Sequence, residues 1–394
     1  MSVRYLKHGL ISLLLSIAQL AFAQPLSSQV STKQEKPFKL KYFNKLNASL
    51  EYNFGGATNV AKLENEQDGR FHQLSPSINF DVLSSDTSFL NFELLADLKN
   101  YTESVSRKLG DESQVSARLL GTQFVSDRWE WGGEGGYLFL DGNQPIQLST
   151  VETISQDQKY AEYDGRLYLA WYGDELSLEA GAKLSTRDYE TKTLDRGNEF
   201  FNNYQRESVD FKVGRIFNDD LNIQLVSELK RTTYEDRPAD FSDGAPSVTT
   251  SPLPTLREEV YSFDLKTEYN LLGIKLTTTP SYIKNNDRIF GALDADSFKI
   301  AQKAEFNFTE KWAWTPEISF LEQRFARYKS SPVDDPLGSP LRVDQVFSVK
   351  SNLKYTFNKN AEGQIGYSME DVDSNYGGSS YKNTVVTTGL TFKL

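Results

Sequence analysis

From Leu46 to the carboxyl terminus, apolar and polar residues alternate with a period of two, segment after segment. Leu46, Ala48, Leu50, Tyr52 and Phe54 are separated by Asn47, Ser49, Glu51 and Asn53. The same pattern recurs in Leu74, Pro76, Ile78, Phe80 and Val82, then in Leu90, Phe92, Leu94, Ala96 and Leu98. Successive side chains of a strand point to opposite faces, so sustained alternation describes strands with one apolar and one polar face. A weaker strand follows at Val115, Ala117 and Leu119, and a fifth spans 129–139. Further strands are read at 161–171, 176–184, 209–217, 221–229, 261–269 and 274–282. The series closes with 298–308, 312–320, 347–357, 361–369 and 386–394. That makes about 16 strands, and the uncertainty of their ends allows 14–18.

Connection lengths alternate as regularly as the side chains. Ser84-Ser85-Asp86, Ser126-Asp127-Arg128, Gly173-Asp174, Asn218-Asp219-Asp220, Leu272-Gly273, Thr309-Glu310-Lys311 and Asn358-Lys359-Asn360 are tight turns. Between them lie long polar stretches: 55–70, 100–114, 141–159, 186–207, 232–259, 284–296, 326–343 and 370–383. A soluble β-sandwich has no reason to keep this order through the whole chain. An outer-membrane barrel does, with short periplasmic turns and longer extracellular loops. The expected fold is therefore all-β: a transmembrane antiparallel up-and-down β-barrel over 38–394, with both ends on the short-turn side.

The first residues read as an address. Arg4 and Lys7 precede an apolar stretch from Gly9 to Leu20, and Ala21-Phe22-Ala23 matches a small-residue cleavage site. A cleaved secretory leader over 1–23 is expected, followed by a polar periplasmic lead-in over 24–37. The apolar stretch falls short of the roughly 20 residues that a spanning helix needs. Removing Arg4 and Lys7 takes the net charge from −11 to −13, so non-specific binding to nucleic acid, which needs basic surface, is not expected. The absence of cysteine excludes disulfides, thiolate metal sites and cysteine nucleophiles.

Tryptophan positions bear on the fold independently. Trp129 and Trp131 follow one short turn, Trp312 and Trp314 follow another, and Trp171 precedes a third. All five share the parity of the apolar face, as expected of an aromatic girdle at the periplasmic membrane interface. Tyr101, Phe139, Tyr160, Tyr234, Tyr261, Tyr282 and Phe298 lie at the opposite strand ends and are expected to form the outer girdle.

Leader, alternating strands, alternating connections and the terminal strand Thr388-Gly389-Leu390-Thr391-Phe392-Lys393-Leu394 together resemble bacterial outer-membrane β-barrel proteins, porin-like ones in particular. Most members end in Phe or Trp, whereas this chain ends in Leu394 with Phe392 two places earlier. The resemblance is one of architecture and matches no substrate-defining motif. It implies residence in the outer membrane of a Gram-negative cell, contact with lipid and lipopolysaccharide, insertion by the barrel assembly machinery, and a homotrimer as the usual assembly. A weaker likeness to barrels linked to exopolysaccharide export rests on size.

Candidate chemistry is sparse. His72 is the one imidazole beyond the leader, and it shares the parity of Leu74 and Pro76, which suits an interfacial residue better than a general base. Asp219-Asp220, Asp334-Asp335 and Glu370-Asp371-Asp373 read as solvated loop charge, because the remaining spacing of an EF-hand is missing. Gly132-Gly133 and Gly135-Gly136 lie within a strand and suggest a bend or close approach by a neighbour. No catalytic residue, metal site or cofactor is expected, and the chain is read as not an enzyme.

The polar faces supply the remaining argument. Glu93, Asp97, Arg118, Glu134, Asp164, Arg166, Lys183, Asp210, Lys212, Asp264, Lys266, Lys303 and Glu305 are expected to line a pore. Both signs occur on the same strands, as in Asp164 with Arg166 and Asp264 with Lys266, so much of the charge should pair across and along strands. The expected function is passive diffusion of small hydrophilic solutes with weak cation preference. A conduit for polymer export is the alternative, and a barrel-embedded enzyme ranks below both. Stretch 232–259, stiffened by Pro238, Pro246, Pro252 and Pro254, is the expected constriction.

Overall fold

A computed structural model describes residues 41–58, 69–102, 112–147, 153–190, 193–195, 198–200, 203–218, 220–238, 255–288, 294–329, 341–375 and 380–393. The strands are, in order, β1 (Lys41–Ala57), β2 (Gly69–Ser84), β3 (Ser88–Tyr101), β4 (Glu112–Phe124), β5 (Trp129–Gln147) and β6 (Thr153–Tyr172). Next come β7 (Leu176–Tyr189), β8 (Thr193–Asp195), β9 (Asn198–Phe200), β10 (Tyr204–Asn218), β11 (Leu221–Pro238) and β12 (Thr255–Leu271). The last six are β13 (Ile274–Asp287), β14 (Ala295–Asn307), β15 (Trp312–Lys329), β16 (Leu341–Asn358), β17 (Ala361–Ser374) and β18 (Tyr381–Lys393).

Sixteen of these strands pair antiparallel with their sequence neighbours and close into one barrel, β1 joining β18. The seam runs from Ser49 opposite Lys393 to Ala57 opposite Val385. Closure matters in a membrane, because it leaves no edge strand with backbone groups facing hydrocarbon. The expected leader over 1–23, the expected lead-in over 24–37 and most of the stretch expected to constrict the pore lie outside the described residues.

Side-chain oxygens close several of the short turns. Ser85 Oγ accepts from the Ser88 amide at 2.9 Å, Ser126 Oγ from the Trp129 amide at 3.2 Å, and Thr309 Oγ1 from the Trp312 amide at 3.1 Å. Asn218 Oδ1 and Asn358 Oδ1 do the same two residues on, at 2.9 and 2.8 Å. These are the local bonds that Ser, Thr and Asn offer a turn backbone. The β12–β13 turn has no such cap. It is a two-residue turn with both central residues at positive φ, 53° at Leu272 and 82° at Gly273, the geometry that matches strand twist and favours Asn-Gly. Leucine at positive φ is strained by roughly 1–2 kcal/mol, and Leu272 makes up nothing by burial, being 95% exposed. Leu272→Asn should therefore stabilise the barrel by about 0.5–1 kcal/mol, read as a later midpoint of urea unfolding in liposomes.

Strands run further than the alternation indicates. Stretch 141–159, expected as loop, is mostly ladder: the β5–β6 pairing continues from Asp141 opposite Lys159 to Gln147 opposite Thr153. β6 has 20 residues, whereas about 9–11 suffice to cross a bilayer. Above the membrane both faces of a hairpin meet water, so the ladder persists while the period of two fades. Stretch 186–207 likewise contains the small hairpin β8–β9, with Thr193 opposite Phe200.

Candidate functional site

The two faces of the sheet differ sharply. Outward positions on β6, β7, β10, β11 and β12 carry exposed apolar side chains such as Leu167, Leu184, Val209, Leu225 and Leu265. Only lipid can cover such a surface around a closed barrel. The alternate positions face the interior and hold charge.

The densest part of the inner wall lies on β6, β7 and β10. Arg166 Nε donates to Asp210 Oδ2 at 3.0 Å, and its Nη2 reaches Asp210 Oδ1 and Glu179 Oε1, each at 2.5 Å. Lys212 Nζ donates to the same Glu179 oxygen at 2.7 Å. Arg166 and Asp210 are on strands separated by β7, and Gly181 is the residue between them, opposite both Tyr168 and Asp210. A Cβ at Gly181 would stand 2.5 Å from Arg166 Nη2 and 2.7 Å from Asp210 Oδ2. Glycine is what lets the guanidinium pass. One step toward the long connections, Lys183 pairs with Asp164 at 2.7 Å.

Near the outer end the wall becomes aromatic. Arg187 pairs with Glu162 at 2.5 Å, and its guanidinium lies 4.2 Å from the Tyr160 ring centre and 5.0 Å from that of Tyr204, within cation–π range. Lys99 sits 4.4 Å over Phe71 and Arg342 sits 4.9 Å over Phe325. Phe71, Tyr101, Tyr160, Tyr204 and Phe325 are all buried. They make a collar of inward aromatics and cations at the end where the long connections lie.

The expected pore residues all fall on this inward parity, and their ion pairs run both across and along strands. Asp164 pairs with Lys183 and Arg166 with Asp210 and Glu179, rather than with one another. Lys266 pairs with Glu268 at 2.7 Å, and not with Asp264. Along one strand, i and i+2 side chains are parallel and compete with nearer cross-strand groups. Two of the pore residues' pairs do form along one strand, Lys266 with Glu268 on β12 and Lys303 with Glu305 on β14, the latter at 2.8 Å. Asp97 accepts from Gln73 at 2.9 Å and from Ser75 at 3.1 Å. Glu93 stands opposite Arg118, and Glu134 opposite Arg166, in register without a close ion pair.

Three outer-girdle expectations are corrected. Tyr101, Tyr160 and Tyr234 face inward, where Tyr160 meets Tyr189 at 5.0 Å and Tyr234 meets Tyr204 at 5.8 Å between ring centres. Nearness to a strand end was their only signal; their parity, shared with Lys99, Glu162 and Lys230, indicates the inner face. Phe139, Tyr261, Tyr282 and Phe298 do have outward parity. Arg187 and Tyr204 were hidden in a stretch read as loop, although each continues the period of its strand.

Elsewhere the singled-out residues have ordinary surroundings. Trp129 stands opposite Trp171, Trp312 packs 4.6 Å from the Tyr355 ring, and Trp314 Nε1 donates to Ser351 Oγ at 2.9 Å. Trp131 faces outward and exposed. His72 Nδ1 is hydrogen-bonded to the Tyr52 hydroxyl at 2.5 Å and lies against Phe54, an outward aromatic setting. Gly132 lies under the Tyr168 ring and Gly136 beside the Asp164 carboxylate, so both are close approaches by a neighbour. Glu370 accepts from Tyr381 at 2.7 Å and Asp371 pairs with Lys382 at 3.4 Å. Among the described residues, no group of three or more His, Asp or Glu side chains could hold a metal ion.

A closed antiparallel barrel, apolar outside and polar within, is an outer-membrane β-barrel of the porin-like class, and the bacterial outer membrane is its location. No family model matches the chain, and no curated protein matches it either. Solved structures match at the level of fold. OccAB4 of Acinetobacter baumannii is 8% identical with a TM-score of 0.50, over 89% of this chain and 99% of that one. OccD3 (OpdP) of Pseudomonas aeruginosa is 8% identical with a TM-score of 0.48, over 91% and 95%. OmpT, an outer-membrane protein of Vibrio cholerae, is 12% identical with a TM-score of 0.45, over 89% and 97%. One expectation is corrected at this point. The exclusion of enzymatic activity is withdrawn, because the neighbours include the OmpT structures and a fold shared at 11–12% identity carries no such exclusion.

Proposed function

We propose that the protein is an outer-membrane channel through which small hydrophilic solutes diffuse passively, with a mild preference for cations. The observation that carries this reading is a closed barrel of 16 strands whose inner wall is charged from the short turns to the collar. Barrels of about eight strands are filled by their own side chains, whereas those of 16 to 18 leave an aqueous passage. The wall charges are mostly paired, as in Arg166–Asp210, Lys183–Asp164 and Arg187–Glu162. Paired charges leave a weak field, unlike the rings of one sign that make a selective filter. A chain with net charge −11 tips that weak field toward cations. Insertion by the assembly machinery after removal of the leader, and a homotrimeric assembly, belong to the same proposal.

Planar-bilayer recording of the purified barrel tests it. Stepwise ohmic conductance is expected, with a small cation-selective reversal potential in a KCl gradient. The preference should fade as salt shortens the Debye length from about 8 Å to about 3 Å. Absence of conductance, or clear anion selectivity, overturns the reading.

A further inference from the structure

The outer surface carries a feature that a passive channel does not require. On β6, β7, β10 and β11 an outward groove of about 630 Å³ is lined by Leu167, Ala182, Leu184, Val209 and Leu229 over Gly165. Directly above it, a second outward hollow of about 560 Å³ holds Arg231, Arg257 and Arg288 with Glu207 and Glu259. The two hollows are continuous, since Glu207 and Arg231 line both.

Their height on the barrel is defined by register. Along β11 the outward residues run Leu221, Ile223, Leu225, Ser227 and Leu229 before the first charge, Arg231. Ten residues at about 3.4 Å rise and roughly 45° tilt climb about 24 Å, close to the thickness of an outer-membrane apolar band. Opposite Arg231 stand Glu207 and Glu259, each likewise the first charge above apolar outward residues of its strand. The groove therefore lies at the depth of acyl chains in the outer leaflet, and the arginines lie at the level of the headgroups.

The arginines are held and presented. Glu259 accepts from Arg231 Nε at 3.2 Å and from the Tyr261 hydroxyl at 3.1 Å, and it also pairs with Arg288. The Glu259 side chain is thereby only 9% exposed, while Arg231 and Arg288 remain 60% and 52% exposed. One carboxylate thus holds two half-exposed guanidinium groups, and Arg257 lines the same hollow. Glu258 also borders the hollow but has inward parity and accepts from the Tyr234 hydroxyl at 3.2 Å, so the outward charges are three arginines and two glutamates, net positive. Guanidinium forks match phosphate oxygens in pairs.

We propose that this surface binds a phosphorylated glycolipid of the outer leaflet, of the lipid A kind, with a phosphate on Arg231, Arg257 and Arg288 and an acyl chain in the groove beneath. A headgroup site without the groove would hold any anion, and a groove without the arginines any hydrocarbon. Their continuity selects a molecule that carries both.

Native mass spectrometry of the intact barrel, titrated in detergent with bisphosphorylated lipid A, tests the site. The parent protein should retain the lipid. The Arg231→Gln/Arg257→Gln/Arg288→Gln variant should bind it at least tenfold more weakly, and monophosphorylated lipid A should bind the parent less tightly. Ala182→Trp, which fills the groove and leaves every arginine in place, should weaken retention to a similar degree. Heat-modifiable gel mobility verifies that each variant is folded, and Ala182→Trp carries the test if the arginine variant does not assemble. Unchanged retention in the folded variants overturns the proposal. So does equal binding of a phosphate-free glycolipid of the same chain number, or a second copy of this chain found covering the groove. Conductance plays no part in the assay, so its outcome is independent of the channel reading.

Discussion

Leu265→Arg should impair assembly severely, whereas Lys266→Arg, one residue along the same strand, should leave it intact. Leu265 stands opposite Leu225, and both are outward and exposed, at 42% and 45%. They lie midway between the short turn and the first outward charges, Arg231 and Glu259, so an arginine there has its charge near the bilayer midplane. The expected cost is about 2–4 kcal/mol, enough to shift a folding equilibrium by more than tenfold. Lys266 points to the opposite face, where it pairs with Glu268 at 2.7 Å, and arginine keeps that charge. The readouts are heat-modifiable mobility and the urea midpoint in liposomes. Equal losses at 265 and 266 would mean that the two faces have been exchanged.

That contrast rests on the part of the fold most legible in the sequence. Where one face meets lipid and the other water, the side chains must alternate, and all sixteen barrel strands announce themselves in this way. Turn residues were legible for an equally local reason: Ser126, Thr309 and Asn358 bond to amides two or three residues on. Beyond the membrane the constraint lapses. The ladder from Asp141 to Gln147 against 153–159 is regular in its backbone but has no apolar face to betray it. Partner choice on the inner wall is less legible still. Arg166 has an acid two residues before it, at Asp164, yet its guanidinium turns the other way, across β7 to Asp210. The gap at Gly181 that permits this is visible only once three strands are in register.

The same gap yields the second large expected effect. Arg166→Gln removes the cation that serves both Asp210 and Glu179, leaving Lys212 as the remaining base in contact with the cluster. If this wall borders the conduction path, the freed carboxylates should raise cation preference. Unit charges about 4 Å apart in water interact by about 1 kcal/mol, so the permeability ratio should move by up to roughly fivefold at low salt. Gly181→Leu should act in the same direction without changing any charge, because the new side chain occupies the space through which the guanidinium passes. The two substitutions should not add. Once Arg166 is gone, a leucine at 181 has no guanidinium left to displace, so the double variant should match Arg166→Gln alone. Reversal potentials in a KCl gradient measure all three. Full additivity would show that Gly181 acts on something other than the Arg166–Asp210 contact, and an unchanged ratio in Arg166→Gln would remove this wall from the path of the ions.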